Sequence, residues 1–336
     1  MSLWRTCGVL WWAVLGMAMA HAAPPPGYYA RTEGKSGTAL RAALHGIISG
    51  HTNVPYSTNG FDTSDALMVL DEDPANTNNV FLTYAQRSEP KSTFAMTTGW
   101  DREHLWPNSY GLDSVEPAFS DLRNLRAEDA SVNSARGNKF YDISDTRSAS
   151  YRHPAHAEAP LCSTDSNSWE PPGQVKGDIA RALLYMVVRY TGDKAREPAL
   201  FLTDATNQIS ATTNLMGRLT VLLRWHEEDP VDDRERARDE LIYTRFQGNR
   251  NPFVDRPEWV RLAFWPEIQI VRSGNDGAVY WPAEYSSAIV EYSFQTVAPP
   301  FWQSVGPARA TNGNTLLITF TYPPGPEAGY FRLRLP

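Results

Sequence analysis

The chain has 336 residues, with 31 Lys and Arg against 38 Asp and Glu, a formal net charge of −7. A hydrophobic share of 42 % and a charged share of 21 % exclude a disordered or collagen-like polymer. The negative total excludes wholesale electrostatic coating of nucleic acid but not a local basic lining aided by a cation.

Residues 1–22 read MSLWRTCGVLWWAVLGMAMAHA, in which Arg5 precedes an uncharged stretch from Thr6 to Ala20. Ala20 and Ala22 stand at the −3 and −1 positions before Ala23, the layout of a cleaved secretory signal peptide. The stretch is shorter than the roughly 20 apolar residues that span a bilayer. Export to the periplasm or the medium is therefore expected, with no membrane insertion and a monomeric mature chain. Cys7 lies in the leader, which leaves Cys162 alone. A single thiol excludes an internal disulfide and a thiolate metal cluster. In the loop-like PLCSTDSNS stretch, that thiol is expected to be exposed.

After the Pro-rich Ala23-Pro24-Pro25-Pro26-Gly27, residues 36–49 carry Leu40, Leu44, Ile47 and Ile48 at helical spacing, stopped by Gly50. His45 and His51 lie nearby and are read as structural or exposed. Residues 55–170 read mostly as short strands and loops. Pro171 and Pro172 precede a helix over Val175 to Tyr190, striped with Ile179, Leu183, Met186 and Val187. A further helical stretch covers Thr213 to Trp225. The run HEEDPVDDRERARDE, headed by His226, reads as a solvated helix face.

From about Ile270 the pattern changes to alternation. Val290, Tyr292 and Phe294 share one side, as do Leu316, Ile318, Phe320 and Tyr322, and Phe331, Leu333 and Leu335. Asn312-Gly313 and Pro324-Gly325 punctuate these runs as turns. The result is a small β-sandwich-like module. Its ending, Tyr330, Phe331, Arg332 and Arg334, loosely resembles the immunoglobulin-like modules that close many secreted bacterial proteins.

The chemistry gathers between Asp101 and Asp142. A carboxylate beside an imidazole, Glu103-His104, is followed by a loop, a strand-like DLRNLR and a helix-like AEDASVNSA. Cleaving a phosphodiester needs a deprotonated water, a cation on the phosphate and a proton for the leaving oxygen. Histidine suits the first task because its ordinary pKa is near neutrality. Oxygen ligands suit hard Mg²⁺, which keeps several waters. One difficulty is geometric, since neighbours on a regular strand point to opposite faces. Pro107, three residues on, makes an early strand end plausible.

The segment resembles the bacterial endonuclease I family of secreted, sugar-nonspecific nucleases with a His-Me (ββα-metal) finger. Arg102, Glu103, His104, Trp106 and Pro107 match one block, and Asp121, Leu122, Asn124 and Leu125 a second. Val132, Asn133, Arg136 and Asn138 match a third, and Trp169 to Met186 and Gln247 to Val260 carry two more. The likeness runs from about Leu40 to Trp265. It implies an α+β fold: a signal peptide over 1–22, a nuclease domain over 23–268 with its finger about 99–142, and a β module over 269–336.

By this resemblance the chain is a Mg²⁺-dependent endonuclease that cuts DNA, and RNA as well, to 5′-phosphate ends, with Mn²⁺ or Ca²⁺ as substitutes or as an additional structural ion. His104 is the implied general base, Glu103 and Asn133 the implied metal ligands. Arg123, Arg126 and Arg136 are the candidates for contact with the phosphate. Asn124 is a candidate for orienting the histidine or the turn. Arg123 departs from the family, where many relatives have a second histidine, and Arg126-Ala127 replace its usual proline.

Other constellations have plainer readings. His153, His156 and Glu158 form H-x-x-H-x-E, but Pro154 and Pro160 argue for a loop rather than a zinc hydrolase site. Asn249, Asn251 and Asp255 read as a turn network. Trp100 and Trp106 suit base stacking and core packing equally. The alternative from a different class is a binding or adhesion protein with an inactive finger and a working C-terminal module; the intact Glu103, His104 and Asn133 count against it.

Overall fold

The computed structural model describes residues 23–266, 268–282, 285, 288–293, 303–305, 310–312, 315–321 and 330–334. The leader with Cys7, and Phe294, Gly313, Tyr322, Pro324, Gly325 and Leu335, lie outside the described residues.

The first helix, α1 (Gly37–Ile48), buries Leu40, Leu44 and Ile48, which recur every four residues along one face. A second, α2 (Thr63–Leu70), interrupts the region expected to be strands and loops. Its start is written locally: Asp62 Oδ1 accepts from Ser64 N at 2.7 Å, and Asp65 Oδ2 from Asp62 N at 3.0 Å. Each bond satisfies a donor that a helix end would otherwise leave open. A three-stranded antiparallel sheet follows, from β1 (Glu72–Asp73), β2 (Asn76–Phe81) and β3 (Ser88–Pro90).

The finger comes next. Strand β4 (Trp100–His104) pairs antiparallel with β5 (Leu125–Asp129), and α3 (Ala130–Arg136) continues directly from β5. Asp129 ends the strand and caps the helix, its Oδ1 accepting from Ser131 N at 2.8 Å and Val132 N at 3.0 Å. Three short strands, β6 (Phe140–Tyr141), β7 (Ser163–Thr164) and β8 (Ser168–Glu170), make a small mixed sheet beyond it.

The central helix is α4 (Lys176–Arg189), which begins after a tight turn over Gly173–Val175 that Pro172 introduces. It buries residues all around its circumference, including Ile179, Leu183, Leu184 and Met186. Burying one such side chain contributes about 1.5–3 kcal/mol, so α4 anchors the core. The helix expected from Thr213 starts late. Leu215–Met216 is instead strand β10, parallel to β9 (Phe201–Leu202), and α5 runs over Leu219–Glu228.

The charged run forms α6 (Asp233–Leu241), but its face is not solvated: Glu235, Arg238 and Asp239 are buried. Glu235 Oε2 pairs with Arg181 at 2.6 Å and Asp71 with Arg238 at 2.7 Å, while Asp239 Oδ1 pairs with Arg123 at 2.6 Å. Mixed sign at helical spacing here marks ion pairs turned inward. Two short helices, α7 (Pro252–Asp255) and α8 (Glu258–Phe264), close this part. Asn251 caps α7 and Asp255 holds Arg250 at 2.7 Å, as expected of a turn network, whereas Asn249 reaches out to the Ile48 carbonyl at 2.9 Å and to Arg123 at 2.8 Å. Cys162 is buried and not exposed as expected, its thiol pushed up by desolvation.

The remaining strands are β11 (Gln269–Ser273), β12 (Asp276–Pro282), β13 (Ile289–Ser293), β14 (Gln303–Ser304), β15 (Ala310–Asn312), β16 (Thr315–Thr321) and β17 (Tyr330–Arg334). They form two antiparallel sheets, ordered β11-β12-β16-β15 and β14-β13-β17. Phe320 of one sheet packs on Phe331 of the other with ring centroids 4.7 Å apart. Tyr285 Oη donates to the Phe264 carbonyl, tying this module to the end of α8. The whole is α+β.

Candidate active site

His104 occupies the last paired position of β4, opposite Leu125. The strand can go no further because Asn124 takes over the next residues. Leu105 N donates to Asn124 O at 2.9 Å, and Trp106 N to Asn124 Oδ1 at 2.7 Å. Asn124 Nδ2 returns a bond to Trp106 O at 3.1 Å. Asn124 thus fixes the turn, one of the two tasks expected of it. Trp100 and Trp106 are both fully buried, which selects core packing over base stacking.

Strand alternation sends the two chemical groups opposite ways from adjacent positions. His104 turns toward residues 116–120, where its Nε2 lies 2.8 Å from the Phe119 carbonyl oxygen. A carbonyl only accepts, so Nε2 carries the proton and the Nδ1 lone pair is left to act as a base. The ring stacks on Phe119 (centroids 4.7 Å) and Tyr56 (5.4 Å). Burial pushes its pKa down from 6.5 to about 4, and the nearby Arg102 and Arg136 charges push the same way. The ring is therefore neutral at ordinary pH.

Glu103 turns inward and is 1 % exposed. Its Oε1 accepts from Tyr84 Oη at 2.7 Å and from Arg136 Nη1 at 2.9 Å. Burial raises the carboxyl pKa, and Arg136 opposes that rise. Arg136 also holds the His104 carbonyl at 2.7 Å and the Leu105 carbonyl at 2.8 Å, so α3 clamps the strand end that carries both groups. Asn133, one helical turn earlier on α3, donates Nδ2 to the Arg102 carbonyl at 3.2 Å, which leaves Oδ1 as an acceptor.

No cluster of three or more His, Cys, Asp and Glu suited to a metal occurs among the described residues. The finger offers a different donor set, the Glu103 carboxylate and the Asn133 amide oxygen. Two hard oxygens suit an ion that retains water, and the carboxylate already lies beside strand and helix in a buried, oriented form. The residues present fit such an ion.

The expected arginines sit otherwise than the phosphate role requires. Arg123 is buried away from the finger, donating to Asp239 Oδ1 at 2.6 Å and to Asn249 Oδ1 and O at 2.8 and 2.7 Å. Interior partners thus engage both of its Nη groups, and its Nε meets no partner among the described residues. Arg126 is also buried, its Nη1 held by the Arg123 and Leu125 carbonyls. Arg136 is at the site but faces Glu103. Of the finger's arginines, Arg102 alone is not buried: its guanidinium lies 3.7 Å from the Tyr56 ring and donates to Thr63 Oγ1 at 3.1 Å.

The other histidines have structural partners. His45 lies 3.0 Å from Asp193 Oδ2, and His51 accepts from Arg189 Nε at 3.0 Å. His153 Nδ1 meets the Cys162 carbonyl at 3.1 Å and His156 Nδ1 accepts from Glu158 N at 3.2 Å, so the H-x-x-H-x-E stretch is a folded turn. His226 is not on a solvated face as expected; it is half-buried beside Arg181 at 3.3 Å. Sequence reasoning missed Tyr84, Tyr141 and Tyr56, which reach the finger from 15 or more positions outside its first strand and carry no motif.

The comparisons with known proteins follow the same outline. The Endonuclease I family model matches residues 36–258. An extracellular ribonuclease of Bacillus amyloliquefaciens is 47 % identical over 234 residues, covering 69 % of this chain and 76 % of its own. An extracellular ribonuclease of Bacillus subtilis (strain 168) is 46 % identical over 241 residues, covering 71 % and 78 %. The family match stops before β11, so the two terminal sheets lie outside it.

Proposed function

The chain belongs to the endonuclease I family and is a nuclease, and on that premise we propose how and on what it acts. It is an exported, Mg²⁺-dependent endonuclease that hydrolyses RNA and DNA to 5′-phosphate ends with little sequence preference. Residues 1–22 direct export, 23–268 form the nuclease body, and 269–336 form an appended β module. RNA is supported by the two relatives, both ribonucleases, and export by their extracellular location. Little sequence preference follows if contacts are made to phosphates rather than to base edges, and tolerance of both sugars if the 2′ hydroxyl is not read.

The observation that carries the mechanism is the Nε2 contact of His104 with a main-chain carbonyl. It leaves Nδ1 to take a proton from the attacking water, while the Phe119 carbonyl holds the imidazolium that forms. The P–O3′ bond breaks as the new P–O bond forms, and the 3′ oxygen leaves with a proton from solvent. Glu103 and Asn133 are the residues that would hold the divalent ion. When bound, the ion supplies positive charge against the phosphate oxygens and the developing 3′ oxyanion. Arg136 holds Glu103 in place. Arg102, half-buried at the His104 side of the strand, is the arginine best situated for the phosphate.

The test is digestion of supercoiled plasmid and of structured RNA by the purified protein in Mg²⁺. Nicking and degradation are expected, abolished by EDTA and reduced about 10²- to 10⁴-fold by His104→Ala. Undiminished cleavage by His104→Ala would remove the histidine from the mechanism.

A further inference from the structure

Behind the finger carboxylate runs a buried relay of hydroxyl groups. Tyr84 and Tyr141 are both fully buried. Tyr84 Oη gives its one proton to Glu103 Oε1 at 2.7 Å, so in its contact with Tyr141 Oη the donor is Tyr141. Arg136 Nη1 reaches the same Oε1 at 2.9 Å. A carboxylate oxygen has two lone pairs, and Oε1 has both engaged. Among the described residues no side chain donates to Oε2, and the carboxylate's remaining partner is the neighbouring His104 main-chain N–H.

We propose that Tyr84 is a positioning residue that restricts Glu103 to one-oxygen metal ligation through Oε2 and so favours Mg²⁺ over Ca²⁺. The inference rests on Glu103 being a metal ligand. Mg²⁺ demands a compact octahedron and takes carboxylates through single oxygens, whereas Ca²⁺ accepts six to eight oxygens and bidentate carboxylates. With Oε1 closed by two hydrogen bonds, the bidentate mode is blocked. Removing the Tyr84 hydroxyl reopens one lone pair on Oε1 and lets the carboxylate turn. The ring itself is held independently, packed on Trp169 with centroids 5.5 Å apart, and the Ala85 N–H beside it is bonded to Glu128 at 3.2 Å.

The experiment titrates the full chain with Mg²⁺ alone and with Ca²⁺ alone by calorimetry, in the absence of nucleic acid. For Tyr84→Phe the expected result is a Mg²⁺ affinity about tenfold weaker, the usual scale for losing a group that orients a ligand. Ca²⁺ affinity is held or raised, so the Ca²⁺/Mg²⁺ ratio increases about tenfold or more. Tyr141→Phe, one bond further away, moves the ratio the same way by less, and supplies the reading if Tyr84→Phe does not fold. An unchanged ratio in folded protein overturns the proposal. Glu103→Gln separates the two failures. If it binds both ions like the parent, Glu103 is no ligand and the underlying reading falls; if it loses both while Tyr84→Phe is unaltered, only the positioning role falls.

Discussion

Replacing Arg123 by methionine separates a phosphate contact from an interior ion pair. Arg123 is 2 % exposed, and its guanidinium donates to Asp239 Oδ1 at 2.6 Å and to Asn249 at 2.7 and 2.8 Å. Methionine fills the stem and removes every donor. Asp239 is then left with the Asn251 N–H at 2.9 Å and a looser Arg250 at 3.8 Å. Removing one partner of a buried pair costs about 3–5 kcal/mol, and the residual Arg250 attraction places this case near the lower end. At about 2–4 °C per kcal/mol for a body of this size, the thermal midpoint falls by roughly 10 °C. Far-UV circular dichroism reads the midpoint, and kcat/KM on RNA is measured well below it. The structural role predicts a kcat/KM within about threefold of the parent, the scale of a site left untouched. Adding Asp239→Asn removes the orphaned charge and recovers part of the loss, because the two sites are coupled. A midpoint unmoved by Arg123→Met together with a hundredfold fall in kcat/KM would refute the assignment.

The remaining predictions concern charge and protonation. Catalysis needs the unprotonated His104 ring, and its pKa is lowered from 6.5 to about 4. The acid limb of kcat/KM at saturating Mg²⁺ is therefore expected near pH 4; a limb centred at pH 6.5 would show an ordinary solvated histidine. Glu235→Gln strips the closer of two charged partners from buried Arg181, leaving Asp178 at 3.2 Å, and is expected to cost about 3 kcal/mol in urea unfolding. Glu227→Gln, at an exposed position of α5 in the same run, is expected to stay within about 0.5 kcal/mol, and equal costs for both would contradict the burial of the Arg181–Glu235 pair. His153→Ala is expected to leave nuclease activity unchanged. Loss of activity in this variant, together with silencing of the parent by a zinc-selective chelator, would revive the metal reading of that turn.

What could be read in advance was what lies close together along the chain. Strand, loop, strand and helix of the finger fall within residues 100–136, and their order and motifs were legible because each element is specified by its own neighbours. The strand end at His104 was signalled by Pro107, though the group that enforces it is Asn124, across the ribbon. Helix α2 had a local sign as well, the Asp62 and Asp65 pair before an apolar run. The run around α6 misled because charge pattern alone does not say which way a helix faces. Only the opposing Asp71, Arg123 and Arg181, remote in sequence, turn those charges inward. Cys162 was misplaced for the same reason, since its cover comes from elsewhere, including the Tyr84 carbonyl. Tyr84 and Tyr141 lie 19 and 38 residues from Glu103, and a lone tyrosine carries no spacing to recognise.

The acceptor that orients His104 belongs to a peptide bond and not to a side chain. In nucleases or proteases whose base leans on an aspartate, one codon change can erase the partner. Here the oxygen persists whatever amino acid stands at position 119, provided the backbone keeps its course. The mutational target for disarming the base is thereby narrowed to His104 itself and to the residues that hold the loop, such as Asn53, whose Oδ1 accepts from Ser120 at 2.7 Å and whose amide donates to Glu116 at 2.6 Å. Position 119 is constrained through its ring, which stacks on His104 and Tyr56, so a substitution there alters the packing around the imidazole while the main-chain acceptor stays in place.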